Sequence, residues 1–162
     1  MAKQLKQHKT VGEAYLATAK QSSAVHAFPF PPEMVWKALL DGPAWTEWLT
    51  ITKVTWTSPQ PFQVGTTRTV EIGDHIVEET FFAWEDNRRM AFRFERSTLP
   101  VSAAVEDYLI KPTAMGCELH WSGKASAFFP LGMLVTAQLT KGLQSGLPKL
   151  EQLIASQPDR FK

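Results

Sequence analysis

Between Ile51 and Phe128 the chain alternates apolar and polar residues in six extended runs, and beyond Pro130 the apolar spacing changes to three and four. The runs are Ile51 to Thr57, Thr66 to Ile72, His75 to Glu85, Arg88 to Arg96, Ser102 to Lys111 and Cys117 to Phe128. A period of two places alternate side chains on opposite faces of a strand, so each run predicts a half-buried strand. Gly73-Asp74, Asp86-Asn87 and Ala114-Met115-Gly116 separate these runs closely with residues that tolerate tight turns, which predicts antiparallel neighbours. An earlier run from Ser23 to Phe28 meets Pro29, Pro31 and Pro32, which cannot continue a ladder, and brings the sheet to about seven strands.

Helical spacing surrounds this meander. Pro32 suits a helix first turn, and Val35, Trp36, Leu39 and Leu40 follow as an apolar stripe that stops at Asp41-Gly42. Pro43 opens a second short helix carrying Trp45, Trp48 and Leu49 on one side. Met133, Leu134, Leu139, Leu143, Leu147, Leu150 and Ile154 predict a long terminal helix, weakened in its middle by Gly142, Gly146 and Pro148 and kinked near Pro148. Val11, Tyr15 and Ala19 predict a loosely docked helix in an extension over residues 1–21, ahead of one domain over 22–157 and a tail over 158–162. A sheet in this order must bury one face, and the long helix is the element to cover it. The prediction is an α+β fold: a curved antiparallel sheet around a long C-terminal helix, with an apolar cavity between them.

Composition narrows the partners. At 162 residues, with 44% hydrophobic and 20% charged residues, the chain has material for one core and is not disordered. Its formal charge is +1, from 17 basic and 16 acidic residues without long blocks, so no overall field draws nucleic acid or anionic lipid. Cys117 stands alone and fits a reducing compartment as a buried thiol. The first residues lack the apolar core of an export signal, and the stretch from Ala125 to Leu139 is too short and interrupted to span a membrane. A cytoplasmic protein is expected, with no integral membrane segment, no nucleic-acid partner and a neutral or weakly charged ligand.

Phe30-Pro31-Pro32-Glu33-Met34-Val35-Trp36-Lys37-Ala38-Leu39, followed by Asp41, Trp45 and Trp48, resembles the opening of the polyketide cyclase/dehydrase branch of the SRPBCC (START-like) superfamily. The resemblance continues through Val64-Gly65-Thr66, Val77-Glu78-Glu79 with Trp84, Arg88-Arg89-Met90-Ala91-Phe92 and Gly116-Cys117-Glu118-Leu119-His120-Trp121. It implies a helix-grip fold with an apolar tunnel under the C-terminal helix, used in the superfamily for lipids, sterols, polyketides or plant hormones. It does not imply a reaction, since fold membership leaves function open.

Chemistry in such a cavity needs an inward acid or base. In the third long run Ile76, Glu78, Thr80, Phe82 and Trp84 share one face, and His75, Val77, Glu79, Phe81 and Ala83 the other. The first face has the larger aromatic content, and if it lines the cavity Glu78 becomes a general acid or base among apolar walls. The commoner role of a strand carboxylate is solvated or paired. Farther on, either Glu106 with Tyr108 or Asp107 with Leu109 faces inward; Tyr108 would meet a ligand carbonyl or, more commonly, a backbone acceptor. The expected cavity comprises Trp45, Trp48, Glu78, Thr80, Phe82, Trp84, Phe92, Tyr108, Met133, Thr136, Leu139 and Leu143, with Trp45 and Trp48 at its entrance; for the tryptophans and the helix stripe, core packing is the competing role.

His8, His26, His75 and His120 lie far apart without zinc-site spacing, and the glycines form no phosphate-cradling loop, so no metal and no cofactor are expected. The leading expectation is a binder or carrier of a hydrophobic small molecule such as a lipid, polyketide or aromatic compound. The alternatives are an aromatase/cyclase or dehydrase-type enzyme using Glu78, or Glu106 with Tyr108, and a protein-partner module; a homodimer also remains open.

Overall fold

The structure, a computed structural model, describes residues 3–18, 22–128 and 130–162. Its sheet contains β1 (Lys6–Gln7), β2 (Ser22–Phe28), β3 (Lys53–Trp56), β4 (Thr67–Ile72), β5 (His75–Glu85), β6 (Arg89–Ser97), β7 (Ala103–Thr113) and β8 (Gly116–Ser126). The order across the sheet is β2-β8-β7-β6-β5-β4-β3, every pair antiparallel, and β1 joins at Arg96 and Ser97 of β6. The meander follows from the short turns: Gly116, at the β7–β8 turn, has φ +149°, and a Cβ there would stand 2.2 Å from the Phe28 carbonyl oxygen.

Between β2 and β3 lie α2 (Pro32–Leu40) and α3 (Trp45–Trp48). Pro32 occupies the first turn of α2, which buries Val35, Trp36, Ala38 and Leu39. The amide of Ala44 donates to Asp41 Oδ1 at 3.0 Å, fixing the corner between the two helices. The terminal helix α4 (Leu131–Ser156) runs unbroken through Pro148. Its buried residues, Leu143, Gly146, Leu147, Leu150, Leu153 and Ile154, begin at its midpoint and run toward its C-terminal end.

Gly146 lies where α4 packs against the end of α3. A Cβ at this position would lie 2.6 Å from Leu49 Cδ2 and 2.8 Å from the Trp48 carbonyl oxygen. Gly146→Ala therefore forces apart elements that a better helix former would otherwise favour, and overpacking should exceed the helix-propensity gain. A net destabilisation of about 1–2 kcal/mol is expected in urea denaturation. A more stable variant would show that α3 yields freely.

Both chain ends are tied down. The amino-terminal segment is held more firmly than its small apolar content suggests. His8 is buried with Nε2 2.6 Å from Ser97 Oγ, and Gly12 lies over the Phe82 ring. In α1 (Glu13–Leu16), Glu13 pairs with Arg89 and the Tyr15 hydroxyl meets Ser126 Oγ. The helix expected through Val11, Tyr15 and Ala19 is thus a single turn as far as Leu16; Ala19 lies outside the described residues. At the other end a 3-10 turn over Pro158–Arg160 directs Arg160 to Asp41 at 2.8 Å and Glu47 at 2.7 Å, and Phe161 is buried. Among the described residues, no helix is long and apolar enough to cross a membrane.

Candidate functional site

A cavity of about 310 Å³ lies between the sheet and the first half of α4, walled by α3, β4 to β7 and the segment after α3. Its sheet wall is a cross-strand ladder. Arg68, Val70 and Ile72 of β4 stand directly opposite Glu79, Val77 and His75 of β5, and all six line the cavity. Trp45, Phe92, Phe94, Tyr108, Leu139 and Leu143 supply further apolar wall.

The polar end is a buried charge cluster. Arg68 Nε donates to Glu79 Oε2, with the two side chains only 1% and 5% exposed, so water cannot compensate for the loss of either partner. The guanidinium carbon sits 4.4 Å from the Trp45 ring centroid, 4.7 Å from Phe92, 5.2 Å from Phe81 and 5.4 Å from Trp56. Arg68 Nη1 is buried and has no hydrogen-bond partner. Nearby, Glu106 Oε2 accepts from the Tyr108 hydroxyl at 2.9 Å and from Trp121 Nε1 at 3.0 Å. That reach depends on Gly123, which pairs with Glu106 across the strands: a Cβ there would collide with the Trp121 ring at 2.4 Å.

One guanidinium therefore serves two buried carboxyls, and full ionisation would leave net negative charge in an apolar cavity. Burial pushes Glu79 up to about 7, opposed by the Arg68 charge and reinforced by Glu106. Burial also raises Glu106 above the usual carboxylate range, and Tyr108 stays protonated well above its ordinary range. An unfolded chain releases the Glu79 proton near 4.5 and the folded chain near 7, so between these values the folded state binds more protons. Stability should consequently fall as pH rises from about 4.5 to about 7, by as much as about 3 kcal/mol from this group. Denaturant midpoints measured across that window should decline, and Glu79→Gln should flatten the decline. A rising midpoint would mean that Arg68 keeps Glu79 ionised.

Several expected positions lie elsewhere. Glu78 faces outward, paired with Arg96 at 2.6 Å, because β5 turns the His75-Val77-Glu79-Phe81 face inward. Thr80 shares the outer side with Glu78, and Phe82 lies there under Gly12. Trp84 returns inward because the β5–β6 register shifts between Phe81 and Ala83, letting it pack on Trp36, Trp56 and Phe81 outside the cavity lining. Trp45 is a fully buried wall residue, while Trp48 lies behind it at 4.9 Å, so neither forms an entrance. On α4, Leu139 and Leu143 line the cavity, whereas Met133 points into solvent and Thr136 is absent from the lining. Glu106 and Tyr108 face the cavity; Asp107 faces out and binds Arg89.

The sequence pattern alone left Arg68 unnoticed and set Glu79 on the face turned away from the cavity, although the parity of both was available. Arg68 alternates in phase with Val70 and Ile72, and Glu79 with Val77 and Phe81, which puts opposite charges on apolar faces of neighbouring strands.

The sequence profile described as polyketide cyclase/dehydrase and lipid transport matches residues 20–155. Uncharacterized proteins of Mycobacterium tuberculosis and Mycobacterium bovis are 52% identical over 94 residues. That match covers 56% of this chain and 56% of theirs, so it spans little more than half the length of these curated relatives. Among solved structures, XoxI of Bacillus cereus superposes with a TM-score of 0.70 at 17% identity, covering 85% of this chain and 97% of that one. A Mesorhizobium loti protein gives 0.65 at 22% identity, with 85% and 98% coverage. DynU16, from the dynemicin biosynthetic locus, gives 0.63 at 19%, covering 84% of this chain and 47% of its own. At these identities the structural likenesses carry the fold alone.

Proposed function

The chain belongs to the polyketide cyclase/dehydrase and lipid transport family, and on that premise we propose that it binds one small hydrophobic molecule bearing an oxygen acceptor at one end. The observation that carries this reading is the unpartnered Nη1 of Arg68, a residue at the polar end of a largely apolar cavity. A buried donor without an acceptor costs about 1–3 kcal/mol, and a ligand carbonyl or hydroxyl oxygen would recover that loss. The volume of about 310 Å³ lies at the small end for ligand pockets, which favours a compact polyketide-like or aromatic compound over a two-chain lipid. Burial pushes the Cys117 thiol up to about 11, where it stays protonated and takes no part in this chemistry.

A second reading rests on Glu79. A cavity carboxyl titrating near 7 is matched to general acid or base work on a ligand carbonyl polarised by Arg68. Native mass spectrometry of the protein from its own host separates these readings. One small molecule per chain, released unchanged after incubation, supports the carrier. A molecule converted by wild type but retained unchanged by Glu79→Gln supports the enzyme. Empty protein that also ignores added aromatic polyketides would overturn both and leave a partner-binding module.

A further inference from the structure

We propose that the start of α4 is a membrane-docking surface, seating Phe128, Leu131, Met133 and Leu134 in the interfacial layer of a bilayer that contains anionic lipid. These four side chains are 89%, 43%, 68% and 60% exposed within seven consecutive residues, while the rest of α4 buries its large apolar groups progressively. Exposed apolar groups gathered this closely mark a contact surface rather than the scattered exposure usual on proteins.

Charge selects the occupant. No Asp or Glu occurs between Glu118 and Glu151, whereas Lys124, Lys141 and Lys149 fall in that stretch, so the segment that carries the patch has basic and no anionic residues of its own. The first turn of α4 contains no acidic residue and no side chain caps it, which leaves the positive end of a 26-residue helix at the same place. An anionic bilayer complements this surface. A second copy of the chain would instead bring like charges together.

Position gives the surface a use. Leu131 and Leu134 lie one helical turn before Val135 and Gln138, which line the cavity, so the stripe that walls the cavity continues into solvent. An apolar compound dissolved in a bilayer seated there would meet the cavity's own helix without crossing bulk water. That use rests on the binding reading, but the surface can be tested without any cargo.

The test is flotation of the full chain with vesicles of phosphatidylcholine and phosphatidylserine at roughly 3:1, and of phosphatidylcholine alone. Wild type should float with the anionic vesicles, more weakly with the neutral ones, and less at high salt. Leu131→Glu with Leu134→Glu should lower the partition coefficient by at least about tenfold, and Phe128→Ser with Met133→Ser should also lower it. Both pairs should keep the wild-type denaturation midpoint, because all four positions are exposed. Wild type that stays with neither vesicle, or variants that float equally well, would overturn the proposal. A concentration-dependent dimer abolished by the Leu131/Leu134 pair, without vesicle binding, would assign the surface to a second copy. Protein that floats but is empty and ignores added aromatic polyketides would uphold the surface while refuting the cavity reading, and loaded protein that does not float would do the reverse.

Discussion

Arg68→Met should destabilise the protein by about 3–5 kcal/mol near pH 8 and by much less near pH 5. At the higher pH the Arg68 charge that opposes the burial of Glu79 is gone, so Glu79 must either ionise without its buried partner or take up a proton against the prevailing pH, and both cost stability. At the lower pH Glu79 keeps its proton, and methionine fills the space between Trp45, Phe92, Phe81 and Trp56 without stranding its charge. Guanidinium denaturation at the two pH values measures the difference. Removing both members of the pair, as Arg68→Met with Glu79→Met, should recover most of the loss, since a buried ion pair is commonly replaceable by apolar groups of similar size. Equal losses at both pH values would show that Arg68 matters through its contact with the rings and not through its charge.

Gly142→Leu should separate ligand binding from stability in the opposite direction. Gly142 lines the cavity, and a Cβ built there meets nothing within 4 Å. A leucine side chain at this position enters the empty space, while α4 gains roughly 0.5–1 kcal/mol from losing a mid-helix glycine. The thermal midpoint should rise or hold, and affinity for any cavity ligand should fall about a hundredfold, equivalent to about 3 kcal/mol. Calorimetric titration with the compound released from wild type, beside a melting curve, checks both. Retained affinity would mean that the ligand is bound elsewhere. The contrast with Gly146, one turn along the same helix, is that there the added methyl meets Leu49 and Trp48.

The elements of this fold were largely readable because each rests on short-range physics. The alternation in β4 to β8, the proline stop after β2 and the apolar stripe of α4 are local signals, and the observed strands follow the expected runs to within a few residues at their ends. The face of β5 was harder, because two strand faces both carried apolar residues and aromatic content pointed to the wrong one. Two register shifts along the β5–β6 pair break strict alternation, so Phe82 and Trp84 end on opposite sides despite their spacing of two. Arg68 was hidden by a different cause. A lone arginine in a strand is ordinarily solvated, and only pairing with Glu79 on the next strand makes its burial tolerable. That pairing depends on register, which no single strand contains.

The unequal anchoring of α4 makes the long helix a lever. Its far end is clamped by Arg160 between Asp41 and Glu47, with Phe161 wedged into the core, and its buried residues all lie from Leu143 onward. The near end has no comparable fastening, and it is the end that roofs the cavity. On the proposed binding role, a solute would be admitted by a swing of the first three turns about this fixed fulcrum, with the hydrogen-bonded sheet left undisturbed.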